Sequence, residues 1–135
     1  MNAASALTDA ILQKLVADPA LVATLGEGRV FDAVPYNHPF PFAVIGEMTT
    51  TDWSTGTDPG LEHGFVLHLW VRKGGKALVN AAALAVQTAL HESILALEGH
   101  TLVNLRHQST DVRRTDDGET FHGVMRFRAV TEPTN

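Results

Sequence analysis

The chain has 135 residues, 44% of them hydrophobic and 19% charged, a composition that predicts one globular domain with its own core and excludes disorder across the whole chain. It contains no cysteine, which excludes disulfides, thiolate catalysis and metal sites built on cysteine. Its formal net charge of −5 argues against a dedicated nucleic-acid binder, because such proteins usually neutralise phosphates with a basic surface.

The charges are unevenly distributed along the chain. Residues 1–70 hold Lys14 and Arg29 against eight carboxylates, a balance of −6, whereas residues 71–135 hold eight basic and seven acidic residues, a balance of +1. Such a polarised molecule suits head-to-tail contact with copies of itself or contact with different partners. The chain has no run of about 18 apolar residues and no basic segment before an apolar one at its start, so we expect a soluble protein made in the cytoplasm.

Two helices are predicted first. Ser5 is expected to cap a helix that ends at Asp18, because the residue before a proline is pushed away from helical angles. Asp18 is then expected to cap a short second helix, with Pro19 at its first position and Gly26 just past its end. The apolar stripe of the first helix consists of Leu7, Ile11 and Leu15.

Three strands should follow. Residues 29–34 predict a short strand stopped by proline, and residues 42–48 predict an apolar strand at the centre of a sheet. The threonine-rich residues 49–60 predict a continuation of this strand into a long hairpin loop, and residues 61–72 predict the returning strand. Along that strand, Phe65, Leu67, Leu69 and Val71 face one way, and Val66, His68, Trp70 and Arg72 face the other.

The second half begins with an alanine-rich helical pattern from Ala77 to about Leu95, which should lie across the sheet. A strand over residues 101–107 is expected to point Val103 and Leu105 inward, and residues 112–115 should join a final hairpin whose Asp117-Gly118 pair predicts a tight turn. In the closing strand, apolar and polar residues alternate at a period of two. The inward set is Phe121, Met125 and Phe127, and the outward set is His122, Arg126 and Arg128.

The order of these elements predicts an α+β fold in one domain over residues 1–135. We expect a mostly antiparallel sheet, two main helices packed on one face, and long hairpin arms.

No motif in the sequence predicts catalysis or a cofactor. The seven histidines lack metal-ligand spacing, and His63 and His68, five residues apart on one strand, should point to opposite faces. The adjacent Asp116 and Asp117 fall at a hairpin tip, where carboxylates are normally solvated. We therefore predict no catalytic, cofactor or metal residues, and structural or surface roles for His38, His63, His68, His91, His100, His107 and His122.

The exposed arginines allow two interpretations. They pair with carboxylates of the same sheet, such as Glu47, Asp111 or Glu119, or they meet carboxylates of a neighbouring copy. Contact with nucleic acid is the weaker alternative. Trp53 lies in a threonine-rich loop without a local apolar partner, which is typical of an interface anchor. The candidate subunit-interface residues are Trp53, Thr55, Arg72, Arg113, Arg114, Arg126 and Arg128.

Several segments together resemble a known family. They are Gly28-Arg29-Val30-Phe31-Asp32-Ala33-Val34-Pro35, Pro41-Phe42-Ala43-Val44-Ile45-Gly46, Asp52-Trp53-Ser54-Thr55, Trp70, Leu97-Glu98-Gly99-His100 and His122-Gly123-Val124-Met125-Arg126-Phe127-Arg128. In this order and spacing, the chain resembles the tail-completion or tail-terminator proteins of long-tailed bacteriophages and of phage-like gene transfer agents.

The resemblance implies a structural virion protein and not an enzyme. Such proteins form a ring, commonly a hexamer, on the head-proximal end of the tail of a virion or virus-like particle. The ring ends polymerisation of the major tail tube protein and joins the tail to the head connector, or stopper. DNA passes through the lumen without being read, no cofactor is implied, and no membrane is involved.

Two alternatives stay open at the level of the sequence. One is another head–tail connector component, such as a head-completion protein. The other is a small α+β hydrolase or ligand-binding domain, with a pocket that holds His63, His68, His107 and His122.

Overall fold

A computed structural model describes residues 1–134 of the protein. The helices are α1 (Ala3–Val16), α2 (Pro19–Leu25) and α3 (Gly75–Leu90). The strands are β1 (Val30–Phe31), β2 (Phe42–Asp52), β3 (Leu61–Val71), β4 (Ala96–Leu97), β5 (His100–Arg114) and β6 (Phe121–Pro133). Within the described residues, no helix has the length and apolar character needed to cross a membrane.

The strands form one six-stranded sheet in the order β1-β2-β3-β6-β5-β4. Every neighbouring pair is antiparallel except β1 and β2, which are parallel. Helix α3 packs against β3, β6 and β5, while α1 packs against α3 and the strands near both ends of the sheet. The predicted α+β class is confirmed, with the helices on one face and two long hairpins, β2–β3 and β5–β6.

The helix ends show which local signals operate. Ser5 was predicted as the first cap, but the cap is Asn2, whose side-chain oxygen accepts a hydrogen bond from the Ser5 N–H at 2.8 Å. The second helix is as predicted, with Asp18 as its cap, Pro19 in its first turn and Gly26 after its end at a φ of 99°.

The core lies between the helices and the inward face of β3 and β6. Both predicted alternations are confirmed, because Phe65, Leu67, Leu69 and Val71 are buried together with Phe121, Met125 and Phe127. Across the two strands, the Phe65 and Phe127 rings stack with centroids 5.2 Å apart. Since full burial of a large apolar side chain contributes about 1.5–3 kcal/mol, this face is a major source of the fold's stability.

Helix α3 ends at Leu90, five residues before the predicted end at Leu95. The reason lies outside the helix: the N–H of Glu92 donates to the Leu105 carbonyl of β5 at 2.7 Å, and Glu92 adopts a left-handed φ of 57°. The backbone N–H of His107 also donates to His91 Nδ1 at 2.9 Å. Strand β5 therefore holds the chain in a turn at residues 91–92, where the alanine-rich pattern would have continued the helix.

Two strand predictions need correction. Strand β2 is not central, because its outer neighbour β1 has only two residues, and the centre of the sheet is the β3–β6 pair. Val103 was predicted to point inward but is 48% exposed. The register between β5 and β6 shifts between Leu102 and Asn104, so that Val103 is an extra residue in the strand and leaves the alternation.

The β5–β6 turn is wider than the predicted tight turn. Strand β5 ends at Arg114 and β6 begins at Phe121, and only Gly118 in the turn has a positive φ, of 75°. The Asp117 carboxylate organises this loop by accepting hydrogen bonds from the backbone N–H groups of Glu119 and Thr120 and from the hydroxyls of Thr115 and Thr120. These bonds, led by the one from Thr120, hold the pKa of Asp117 well below its usual range.

Candidate interaction surface

The face of the sheet that the helices leave uncovered carries a stack of aromatic and histidine rings. We call it the open face, and on β3 and β6 it consists of Glu62, Gly64, Val66, His68, Trp70, His122, Val124, Arg126, Arg128 and Val130. Trp70 and His122 are directly paired in the register, and their rings stack with centroids 3.8 Å apart and planes 6° apart. His68 Nδ1 lies 2.8 Å from His122 Nε2, so one ring donates and the other accepts.

This stack favours neutral histidines. Burial lowers the pKa of His68, and nearby Arg126 lowers it further, while Glu47 opposes both effects. Burial also lowers the pKa of His122, with added repulsion from His68 and Arg113. A hydrogen bond between two imidazoles needs one ring as acceptor, which a doubly protonated pair cannot supply. Near neutral pH the stacked rings of Trp70, His68 and His122 are therefore uncharged.

The two arginines of the closing strand are paired within the subunit. Arg126 donates to Asp111 on β5 at 2.9 Å, and both side chains remain at least half exposed. Arg128 donates to Glu62 on β3, and this pair is more buried, with about 27% and 29% of the two side chains exposed. The first interpretation of these arginines, pairing across the same sheet, thus describes their contacts in the monomer.

The three other candidate arginines gather at the opposite end of the sheet from Trp53. Arg72 follows β3, donates from Nε to the Thr120 hydroxyl at 3.1 Å, and lies 3.9 Å from an Asp117 oxygen. Arg113 and Arg114 end β5, and the guanidinium of Arg114 lies 5.3 Å from the centre of the Phe121 ring. This end of the strands thus brings three arginines together beside the turn that contains Asp116, Asp117 and Glu119.

Trp53 and Thr55 lie in the loop between β2 and β3, residues 53–60, which we call the arm loop. The Trp53 side chain is 54% exposed, and the Arg128 guanidinium lies 5.1 Å from its ring centre. The loop is internally bonded: Trp53 N–H donates to the Gly60 carbonyl at 2.9 Å, and Thr55 N–H donates to the Asp58 carbonyl at 2.8 Å. The arm loop therefore presents its tryptophan on an ordered support.

A second feature is a pocket beside the start of β2. We call it the proline pocket, lined by Val34, Pro35, Asn37, His38, Pro39, Phe40, Pro41, Phe42, Arg72 and Lys73. Phe40 and Phe42 have ring centroids 5.3 Å apart, and the Arg72 guanidinium lies 4.3 Å from the centre of the Phe40 ring. Arg29 supports the wall by donating to the Pro39 and Pro41 carbonyls at 3.1 and 3.2 Å.

The histidines do not form one pocket. His63 points into the core, as its alternation with His68 predicted, and hydrogen-bonds two threonine hydroxyls; burial is the main cause of its lowered pKa. His107 packs edge-on against the core ring of Phe127 and bonds through its backbone N–H to His91, whereas His68 and His122 bond to each other on the open face. In residues 1–134, no three His, Cys, Asp or Glu side chains are grouped as a metal site would require.

The seven candidate interface residues thus divide between the two ends of the sheet. The first group is Trp53, Thr55 and Arg128, and the second is Arg72, Arg113 and Arg114, with Arg126 between them on the open face. The alternation could have placed His68 beside Trp70, but only the β3–β6 register brings His122 onto the stack. The repeated prolines and phenylalanines between β1 and β2 could have indicated the proline pocket. The same composition is equally typical of a segment that only connects two strands.

Comparisons with known proteins agree on one family. Residues 9–132 match the family described as Tail completion protein gp17. Over 102 residues, 74% of each chain, the protein is 28% identical to the tail completion protein gp17 of Bacillus phage SPP1.

Solved structures show the same likeness. One chain of the virion of a native gene transfer agent particle matches with a TM-score of 0.86, 34% sequence identity and coverage of 96% of both chains. The structure of bacteriophage SPP1 gp17 shares the fold, with a TM-score of 0.64, 24% identity and coverage of 98% of this chain and 91% of that one. With a family match across most of the sequence, this chain belongs to the tail completion protein gp17 family.

Proposed function

We propose that this protein is a tail terminator: a structural component at the head-proximal end of the tail of a phage or a gene transfer agent particle. In this role, several copies, six by analogy with the family, form a ring on the end of the tail tube. The ring stops addition of further tube subunits and joins the tail to the head connector. Its axial partners are the major tail tube protein on one side and the stopper on the other.

The observation that carries this proposal is the likeness to a chain of a gene transfer agent virion over 96% of both chains. Because the likeness spans 96% of both chains, it includes the sheet and both hairpins. Trp53, half exposed on an ordered loop, has the character of an interface anchor.

The chemistry of the open face fits assembly better than catalysis. Its two histidines bond to each other, and Arg126 and Arg128 are each paired with a carboxylate. A nucleophile or general base would need an oriented partner and a concave site around it, whereas these groups satisfy one another on a sheet surface. DNA would pass through the ring without sequence-specific contact, in keeping with the chain's net charge of −5.

Deletion of the gene tests the proposal by electron microscopy of the resulting particles. We expect tail tubes of irregular, extended length and heads without tails, both corrected when the gene is supplied in trans. Head-joined tails of normal length in the deletion strain would overturn the proposal. Tubes of normal length that fail to join heads would instead assign the protein to another step of head–tail connection.

A further inference from the structure

We propose that the arm loop of one copy docks in the proline pocket of the next copy, which gives the ring a head-to-tail contact. The inference rests on the proposed ring and specifies which two surfaces of the subunit meet. The occupant of the pocket is therefore a second copy of this chain, and the contact would repeat at every interface.

The arm loop has the properties of an insert. It combines an apolar ring, the half-exposed Trp53, with the acidic residues Asp52 and Asp58 on either side of it in the sequence. The third nearby carboxylate, Glu62, is paired with Arg128, whose guanidinium also lies 5.1 Å from the Trp53 ring centre. Its hydrogen bonds include those of the Ser54 hydroxyl with Asp52 at 2.7 Å and with the Gly60 N–H at 3.1 Å. An insert that is ordered before binding loses little conformational entropy on docking.

The proline pocket has the complementary properties. It is an open depression of about 780 Å³, within the roughly 300–1,000 Å³ of pockets that bury a sizeable group. Its walls are mainly proline and phenylalanine, while Arg72, Lys73 and the nearby Lys76 supply positive charge. No carboxylate occurs in residues 33–42 or 72–76, and the contact between Arg72 and Asp117, at 3.9 Å, is long.

The apolar character and the charges of the two surfaces therefore match. An aromatic side chain entering a pocket of aromatic and proline residues buries apolar area on both sides and meets ring edges and faces. The acidic groups around the insert approach the cations at the pocket rim, which steers the association and fixes its polarity. Aromatic and arginine side chains of this kind dominate interface energies.

The geometry requires that the two surfaces belong to different copies. The pocket includes Phe42, the first residue of β2, and the arm loop follows Asp52, its last residue. With 11 residues at about 3.3 Å each, β2 separates the surfaces by about 36 Å, so a subunit cannot fill its own pocket. A contact between two different patches repeats from copy to copy and generates a ring when the rotation closes.

The lack of cysteine in this chain makes a direct test possible. We would introduce Gly56→Cys in the arm loop, where an added Cβ has no atom within 4 Å, and Tyr36→Cys beside the pocket, where the side chain is 94% exposed. Purified particles carrying the double variant would be treated with a short bismaleimide crosslinker and examined on a denaturing gel. The matched control combines Gly56→Cys with Ala23→Cys, exposed on α2.

The proposal expects a ladder from dimer to the closed ring in the double variant. Neither single variant nor the matched control should give it. Dimers of Gly56→Cys alone would show that arm loops meet each other, and a crosslink to a different particle protein would give the loop another partner; either result overturns the inference. An absent ladder in particles with normal, joined tails would overturn it too while leaving the terminator role intact.

Substitution of the anchor provides an independent readout. In the double-cysteine background, Trp53→Ala should lower the crosslinking yield about tenfold or more, whereas Trp53→Phe should retain most of it, because an interface anchor acts through its aromatic area. Circular dichroism and thermal unfolding of the purified variants check that the fold survives. An unchanged yield in folded Trp53→Ala protein would contradict the role of Trp53 as anchor.

Discussion

The two faces of the β3–β6 pair are built from the same strands but are stabilised in different ways. The helix-covered face is a continuous apolar layer in which Leu67 and Met125 are fully buried. The open face is held by a ring stack and two ion pairs. One face thus depends on burial, and the other on side chains that remain partly exposed and available to neighbours. Substitutions that differ only in which face they strike test this division.

The largest effect is expected for Leu67→Ala, compared with Val66→Ala on the same strand. Leu67 is 0% exposed, so its truncation should leave a cavity and lower the free energy of unfolding by about 2–5 kcal/mol. Val66 faces the other way and is half-buried, so its truncation should cost clearly less. Urea unfolding followed by circular dichroism measures both. Equal losses would mean that the open face is packed as tightly as the core.

An intermediate effect is expected for Gly123→Ala, with Gly64→Ala as its counterpart on the open face. An added Cβ at Gly123 would approach Val79 Cγ2 to 3.0 Å and Leu69 Cβ to 3.3 Å, whereas at Gly64 it would meet nothing within 4 Å. We expect a loss of about 1–3 kcal/mol for the first variant, from overpacking, and little change for the second. Thermal unfolding of the two proteins measures the difference in stability. A Gly123→Ala protein that is as stable as the unsubstituted one would show that α3 can shift away from the sheet.

A smaller effect on folding is expected for charge reversal on the open face. Arg126→Glu breaks an exposed ion pair with Asp111, which should cost only about 0.2–1 kcal/mol plus some like-charge repulsion. Arg128→Glu should cost more, because Arg128 is less exposed and contacts both Glu62 and Trp53. If the two arginines also meet a neighbouring copy, particles carrying either variant should lack joined tails although the purified subunit folds. Normal particles would confine both arginines to their own subunit.

The smallest effect is the dependence of stability on pH. The pKa values of His63, His68 and His122 are lowered in the fold, so the unfolded chain binds more protons. Their contribution is complete above the unfolded histidine pKa of about 6.5 and is lost as the pH falls through the lower folded values. His122→Asn should flatten the fall of the melting temperature between pH 7.5 and 5. An unchanged slope would contradict the coupling of His68 and His122.

Features that depend on the local sequence could be predicted, whereas features that depend on contacts between distant segments could not. Alternation at a period of two identified the buried residues of β3 and β6, and Asp18 and Gly26 marked the limits of α2, because these signals act locally. The end of α3 at Leu90 could not be read, since it depends on a hydrogen bond between Glu92 and β5.

The candidate site was only partly predictable for a related reason. Trp53 was singled out because the threonine-rich sequence around it offers no local apolar partner. Its side chain is exposed, as an interface anchor must be. The stack of Trp70 on His122 and the ion pair of Arg128 with Glu62 join residues 52 and 66 positions apart. Such pairs depend on which strands become neighbours and in which register, which no local pattern states.

The order of the strands also determines when the subunit can be completed. The central pair joins Leu61 to Thr131, so β3 has no inner neighbour until nearly the whole chain has been synthesised. Before that point the β2–β3 hairpin lacks a partner on one edge, and contacts this distant in sequence form slowly. Chains interrupted before β6 would therefore expose the unpaired backbone N–H and C=O groups of β3 and be prone to aggregation. Assembly then draws on finished subunits, because the strand that completes the sheet is made last among those described.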